Sequence, residues 1–214
     1  MATTASGTGG SGRGREQGPV HTAYHDRLPL GQEVSAAPLL EQPLFGFTGE
    51  VHLKPLEPML APERPRAGET DPSECWHCTG AGEDAIWRDE HWQVAAFAQT
   101  GLPFVAGLAP REHLRLDQLG PELLATFGEV VQRLAGAIQS LDSVARAHFS
   151  RWGDGSAHFH LAFLGRPLGM MQGRGPMLPF WDDVLPPIPE EMRLAHARQV
   201  ATALARRGGE ALLD

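Results

Sequence analysis

The stretch Ser156-Ala157-His158-Phe159-His160-Leu161-Ala162-Phe163-Leu164 decides how this 214-residue chain folds. Successive side chains of a strand point to opposite faces, so His158, His160 and Ala162 share one face while Phe159, Leu161 and Phe163 enter a core. At about 3.3 Å rise per residue the two imidazoles stand roughly 6.6 Å apart. Two readings fit this pattern: polar residues on the wet face of a half-buried strand, or a pair of working imidazoles.

Upstream, residues 144–152 form the other arm of a hairpin through Gly153-Asp154-Gly155, whose residues tolerate the positive φ of a tight turn. Before that, Pro121 occupies a first helical position. Leu123, Leu124, Phe127, Val130, Val131, Leu134 and Ile138 follow in an i, i+3, i+4, i+7 stripe, which predicts a long amphipathic helix. Residues 85–88, 92–97 and 104–108 read as three short strands, with Asp89-Glu90 in the first turn and Pro110 ending the third. Downstream, residues 189–207 have helical spacing in Leu194, Ala197, Val200, Ala201 and Leu204, stopped by Gly208-Gly209. The fold class expected is α+β, an antiparallel sheet with one long helix, followed by a C-terminal helix.

The flanks differ in composition. Residues 1–19 are Gly, Ser, Thr and a few charges, too polar to offset their ordering entropy, and are expected to be a disordered leader. Residues 20–74 carry prolines at 29, 38, 43, 55, 58, 62 and 65, too dense for any long helix, and are expected to form an extended arm with apolar anchors at Leu39-Leu40 and Leu44-Phe45-Gly46-Phe47. Residues 75–168 then form the functional domain, and residues 169–214 a glycine-rich loop plus the last helix.

Charge excludes some functions. Lys+Arg 18 against Asp+Glu 26 gives a net charge of -8, and no basic stripe offers the counterion displacement that extended nucleic acid requires. No run of about 18 apolar residues could span a bilayer, and the start lacks the order of a signal peptide, so a cytoplasmic protein with no membrane partner is expected. Two cysteines are too few for a secreted disulfide framework.

Those cysteines sit in Cys75-Trp76-His77-Cys78, and His113 follows in Pro110-Arg111-Glu112-His113. Cys75, Cys78, His113 and His158 supply the thiolate and imidazole ligands of a closed, structural tetrahedral Zn2+ site. Two plain buried cysteines or a redox pair are the alternatives, the redox pair lacking a βαβ helix to lower its thiol pKa. His77 and His91 are spare ligands, expected at the surface.

Residues 75–168 resemble the histidine triad (HIT) superfamily of nucleotide hydrolases and transferases: strands, an amphipathic helix, a strand, then His158-Phe-His160-Leu-Ala162-Phe-Leu on the last strand. Cys75, Cys78, His113 and His158 are similar to the zinc set of members that keep one, including the galactose-1-phosphate uridylyltransferase branch. The resemblance implies a nucleotide or nucleotide conjugate as substrate, a homodimer, and His160 as the nucleophile that attacks the α-phosphorus and forms a nucleotidyl-histidine intermediate. A neutral imidazole suits that role once a backbone carbonyl fixes its tautomer. The third triad position is Ala162, which can neither donate a hydrogen bond nor carry a proton. The resemblance therefore leaves two functions open: a nucleotidyl hydrolase or transferase, or a non-catalytic nucleotide-binding or interaction module. Candidate phosphate contacts are Ser156 before the motif and Arg166, Gln172 and Arg174 after it. Gln172 could take the place of the missing side chain if its segment folds back, and Trp181 could stack on a base or pack under the last helix.

Overall fold

The computed structural model describes residues 28–42, 45–58, 60, 62–80 and 85–213. The leader expected over 1–19, the start of the arm and the anchor Leu44 lie outside the described residues. Among the described residues two compact units emerge, one drawn from 28–36 with 52–64 and one drawn from 37–51 with 65–213. In the first, Leu30 and Leu56 form a parallel bridge, and Gly31 N donates to the Leu56 carbonyl at 3.0 Å.

The second unit opens with a one-turn helix α1 (Ala37–Leu40), and a second single turn, α2 (Trp76–Thr79), carries the Cys-x-x-Cys pair. The sheet follows as β1 (Ala85–Arg88), β2 (Trp92–Ala96) and β3 (Val105–Pro110), then helix α3 (Pro121–Gln139), β4 (Val144–Ser150) and β5 (Leu161–Pro167). Helices α4 (Leu178–Val184) and α5 (Glu190–Ala205) and a short β6 (Glu210–Ala211) complete it. The strands form one antiparallel sheet in the order β4-β5-β3-β2-β1-β6. This is the α+β architecture expected, with one long helix against an antiparallel sheet.

Its packing follows from the periodicities. The α3 stripe buries Val130, Leu134, Ala137 and Ile138, and α5 buries Ala197, Val200, Ala201 and Leu204. Both cover a sheet face built from Trp87, Trp92, Val94, Ala106, Leu108, Phe159, Leu161 and Phe163. Burying each large side chain of this set contributes about 1.5–3 kcal/mol. Strand β3 is buried at all six positions because it lies between β5 and β2 with both faces covered. The opposite face holds a smaller cluster of Leu102, Val105, Leu164 and Leu178, against which Ala162 and Leu185 pack.

Two expectations need correction. His158 and His160 precede β5, which begins at Leu161. Strand β3 ends at Pro110, whose ring has no N–H to donate to a neighbouring strand and whose carbonyl accepts from the His158 side chain, while Phe159 N donates to the Leu114 carbonyl at 2.7 Å. The segment after β5 is more than a loop. Pro179 opens α4 at a position that needs no backbone donor, and Asp182 anchors that helix by accepting from Thr100 Oγ1 (2.6 Å), Gly101 N (2.8 Å) and Leu102 N (3.3 Å). The Gly208-Gly209 stop holds, with φ of 119° and 78°, and it turns the chain so that Ala211 pairs with Trp87, a strand the sequence did not announce.

Candidate metal centre and histidine site

Four donor atoms converge where α2, the end of β3 and the approach to β5 meet. The ligand atoms of Cys75, Cys78, His113 and His158 all lie within 4.8 Å of one another. His158 Nδ1 is 3.6 Å from Cys75 Sγ and 3.5 Å from Cys78 Sγ, and His113 Nδ1 is 3.3 Å from Cys78 Sγ. A tetrahedron with bonds of about 2.3 Å to sulfur and about 2.0–2.1 Å to nitrogen has a sulfur–nitrogen edge of about 3.6 Å, so these spacings fit a metal of that kind.

The imidazoles are also held in the tautomer a metal requires. His158 Nε2–H donates to the Pro110 carbonyl at 2.9 Å and His113 Nε2–H to the Gly68 carbonyl at 3.0 Å, so each Nδ1 turns a lone pair toward the sulfurs. Burial lowers the His158 pKa from its ordinary value, favouring the neutral ring that can ligate. Partial burial, with the Cys75 sulfur alongside, pushes the Cys78 thiol up to about 11, so a bound cation is what would favour its thiolate. Gly68 belongs to the Pro-rich region, and its role was not legible in sequence. Its neighbour Ala67 pairs with Ser156 through Ala67 N to Gly155 O (3.2 Å) and Ala157 N to Ala67 O (3.0 Å), which brings the Gly68 carbonyl up to His113.

His160 stands beside this cluster. Its Nδ1–H donates to the His158 carbonyl at 2.8 Å, leaving the lone pair on Nε2. Trp76 meets its ring edge-on at 5.7 Å between centroids, and His77 lies at 4.7 Å. His77 corrects a sequence expectation: it is buried rather than exposed, stacked on Trp76 at 3.5 Å, and burial with its three histidine neighbours lowers its pKa to about 3. The signal that could have placed it is its position inside the Cys-x-x-Cys turn, between two cysteines that both face the donor cluster. Beyond His160, register aligns Ser150, Ala162, Gly107, Ala95 and Ala85 across five strands, a row of small side chains on the face opposite the main core.

The candidate phosphate contacts have these surroundings. Ser156 is buried, its hydroxyl 3.9 Å from Cys75 Sγ and 3.5 Å from the Ala67 carbonyl, behind the metal cluster. Arg166 lies six residues along from His160, roughly 20 Å in an extended chain. Its guanidinium donates to the Met170 carbonyl at 3.0 Å. The segment of Gln172 and Arg174 packs beside Arg166 and Leu178: an added Cβ on Gly173 would lie 3.1 Å from Leu178 Cδ1 and 3.5 Å from Arg166 Cγ, and the Gln172 carbonyl accepts from Trp181 Nε1 at 3.1 Å. The Trp181 indole donates that bond through Nε1, and its edge lies against Gly46.

No protein-family model and no curated protein matches the chain. Solved structures to which it is similar include a zinc-bound histidine triad family protein from Mycobacterium smegmatis, at 20% identity over 62% of this chain and 94% of that one, with a TM-score of 0.46. A hypothetical histidine triad nucleotide-binding protein from Sulfolobus tokodaii strain7 is 11% identical over 61% of this chain and 90% of that one, with a TM-score of 0.45. A uridylyltransferase mutant is 19% identical over 62% of this chain and only 48% of its own, with a TM-score of 0.44. The chain is similar, then, to histidine triad proteins, as its motif resembles theirs. The roles of its residues rest on their own geometry.

Proposed function

We propose that this chain is a zinc-containing nucleotide-binding protein that transfers or hydrolyses a nucleotidyl group through His160. The observation that carries the reading is the 2.8 Å bond from His160 Nδ1–H to the His158 carbonyl, which leaves Nε2 as a nucleophile with a fixed lone pair. That lone pair forms a P–N bond to the α-phosphorus of a phosphate ester, anhydride or phosphoramidate as the bond to the leaving group breaks. Water or an acceptor phosphate then forms a new P–O bond, and the pair returns to Nε2.

Zinc, held by Cys75, Cys78, His113 and His158, would supply structure: it closes its shell on four protein ligands and ties α2 to the ends of β3 and β5. Since His158 offers both a ligand nitrogen and the carbonyl that orients His160, the metal site and the nucleophile share one residue. Release of nucleoside monophosphate from a dinucleoside polyphosphate or nucleoside phosphoramidate tests the assignment. Wild-type turnover lost in His160→Ala supports it, and unchanged turnover in that variant overturns it.

Ala162 favours a second reading, a nucleotide-binding module without turnover. Calorimetry that detects nucleoside monophosphate binding while no product forms would select it. A homodimer and a cytoplasmic location belong to the same proposal. Among the described residues no helix is long and apolar enough to cross a membrane.

A further inference from the structure

The chain lacks a hydrogen-bonding side chain at Ala162 and has an imidazole beside His160 with no partner. His77 is 5% exposed, yet among the described residues its Nε2 is buried without a hydrogen-bond partner. The neighbouring rings are committed. His113 and His158 place Nε2 on backbone carbonyls and Nδ1 against the cysteine sulfurs, and His160 places Nδ1 on the His158 carbonyl. Packing alone does not ask for a nitrogen at position 77, because a phenylalanine ring would stack on Trp76 equally well and leave no polar atom unsatisfied. The ring is also well placed. Its centroid is 4.7 Å from that of His160, with the two ring planes inclined at 45°.

We propose that His77 does the work of the missing third histidine, by donating an Nε2–H hydrogen bond to a non-bridging oxygen of the phosphoryl group carried on His160. The proposal rests on the nucleotidyl chemistry assigned above to His160. When Nε2 of His160 attacks, its lone pair forms the P–N bond and the leaving group keeps the pair of the bond that breaks, P–O in an ester or anhydride and P–N in a phosphoramidate, whose departing nitrogen takes a proton from water. When water attacks, the P–N pair returns to His160 and the proton of the water passes to solvent. His77 gives up no proton in either step; it stabilises the charge that builds on the phosphoryl oxygens, as preorganised donors do. The ligand class it recognises is the α-phosphoryl group of a nucleotide, whatever the base.

Steady-state hydrolysis of a nucleoside 5′-phosphoramidate by the full chain tests this, comparing wild type with His77→Phe and His77→Gln and measuring metal content in each. The phenylalanine keeps the ring and removes the nitrogen, and the glutamine amide restores an N–H near the position of Nε2. His77→Phe is expected to keep its metal and its KM within about threefold while kcat falls about 10²-fold, the size of losing one such donor. His77→Gln is expected to recover at least a tenfold part of that loss. Full activity in His77→Phe, with His160→Ala inactive, overturns the role of His77 and leaves that of His160 standing. Equal loss in both His77 variants together with loss of metal assigns His77 to the structure of the turn and also overturns the proposal. Absence of wild-type turnover removes the His160 reading, and this one with it.

Discussion

The backbone carbonyl of His158 and the Nδ1 of His160 are 2.8 Å apart, and the same His158 turns its own Nδ1 to the two cysteine sulfurs at 3.5–3.6 Å. One residue thus orients the candidate nucleophile with its main chain and offers a metal donor with its side chain. A change at the metal cluster reaches His160 through a single peptide unit.

If Nε2 of His160 is the nucleophile, a covalent adduct forms on it. Rapid acid-free quenching of the wild-type protein with a nucleoside phosphoramidate is expected to show a mass increase of one nucleoside monophosphate, mapped to the peptide containing His160 and labile to acid. An adduct on any other residue, or the same adduct in His160→Ala, contradicts the assignment.

The metal cluster predicts a stoichiometry and a pH dependence. One zinc per chain is expected by elemental analysis, and Cys75→Ser is expected to lose it and to lower the melting temperature. Protons compete with metal for thiolate and imidazole alike, so retention is expected to weaken as pH falls. Titration with a chelator at descending pH follows this, and a zinc-free wild type of unchanged stability would count against the site.

Gly68 joins the Pro-rich segment to the cluster. Its φ is +75°, and an added Cβ would lie 2.7 Å from His113 Cε1 and 2.8 Å from Cys75 Cβ, two ligand residues at once. Gly68→Ala is therefore expected to lower metal affinity by about 10–100-fold, the usual cost of disturbing the groups that orient ligands. Competition with a chromogenic zinc indicator measures it, and unaltered affinity refutes the coupling.

What could be read in the sequence was whatever repeats or matches a spacing. The α3 stripe, the first three strands and the Cys75, Cys78, His113 and His158 set whose donor atoms converge are patterns of spacing, and each was legible in the sequence. His77, Gly68 and Asp182 were not, because their places depend on which segments meet. His77 faces inward because the turn closes around a metal cluster, Gly68 because Ala67 adds to the turn at Ser156, and Asp182 because the 100–102 loop offers it three donors. The strand start at His158 was misjudged for a related reason: alternation continues in sequence beyond Leu161, but Pro110 ends the ladder across from it.

Asp182 holds α4 to the loop before β3 through three hydrogen bonds, two of them to backbone N–H groups. Asp182→Ala removes the acceptor and leaves those donors to find water. A loss of about 1–3 kcal/mol is expected in urea denaturation, with metal content unchanged, since the helix lies away from the cluster. A loss below about 0.5 kcal/mol would show that solvent replaces the carboxylate freely.

Glu69 and Arg66 give the fold an acid-sensitive contact near the metal site. The Arg66 guanidinium, with its backbone N–H, holds the Glu69 carboxyl at about 2, well below its ordinary value of 4.5, and also donates to the Gly153 carbonyl at 3.2 Å. A depressed carboxyl stabilises the fold above its unfolded value and loses that contribution as pH falls from about 4.5 through about 2. The pair is largely solvent-exposed, so screening reduces its worth to about 0.2–1 kcal/mol, less than the shift alone implies. Thermal melts of wild type and Glu69→Gln at a series of pH values are therefore expected to differ near neutrality and to converge as pH approaches 2. A difference that stays constant across that range means that the charge of Glu69 contributes nothing and that its hydrogen-bonded shape alone matters.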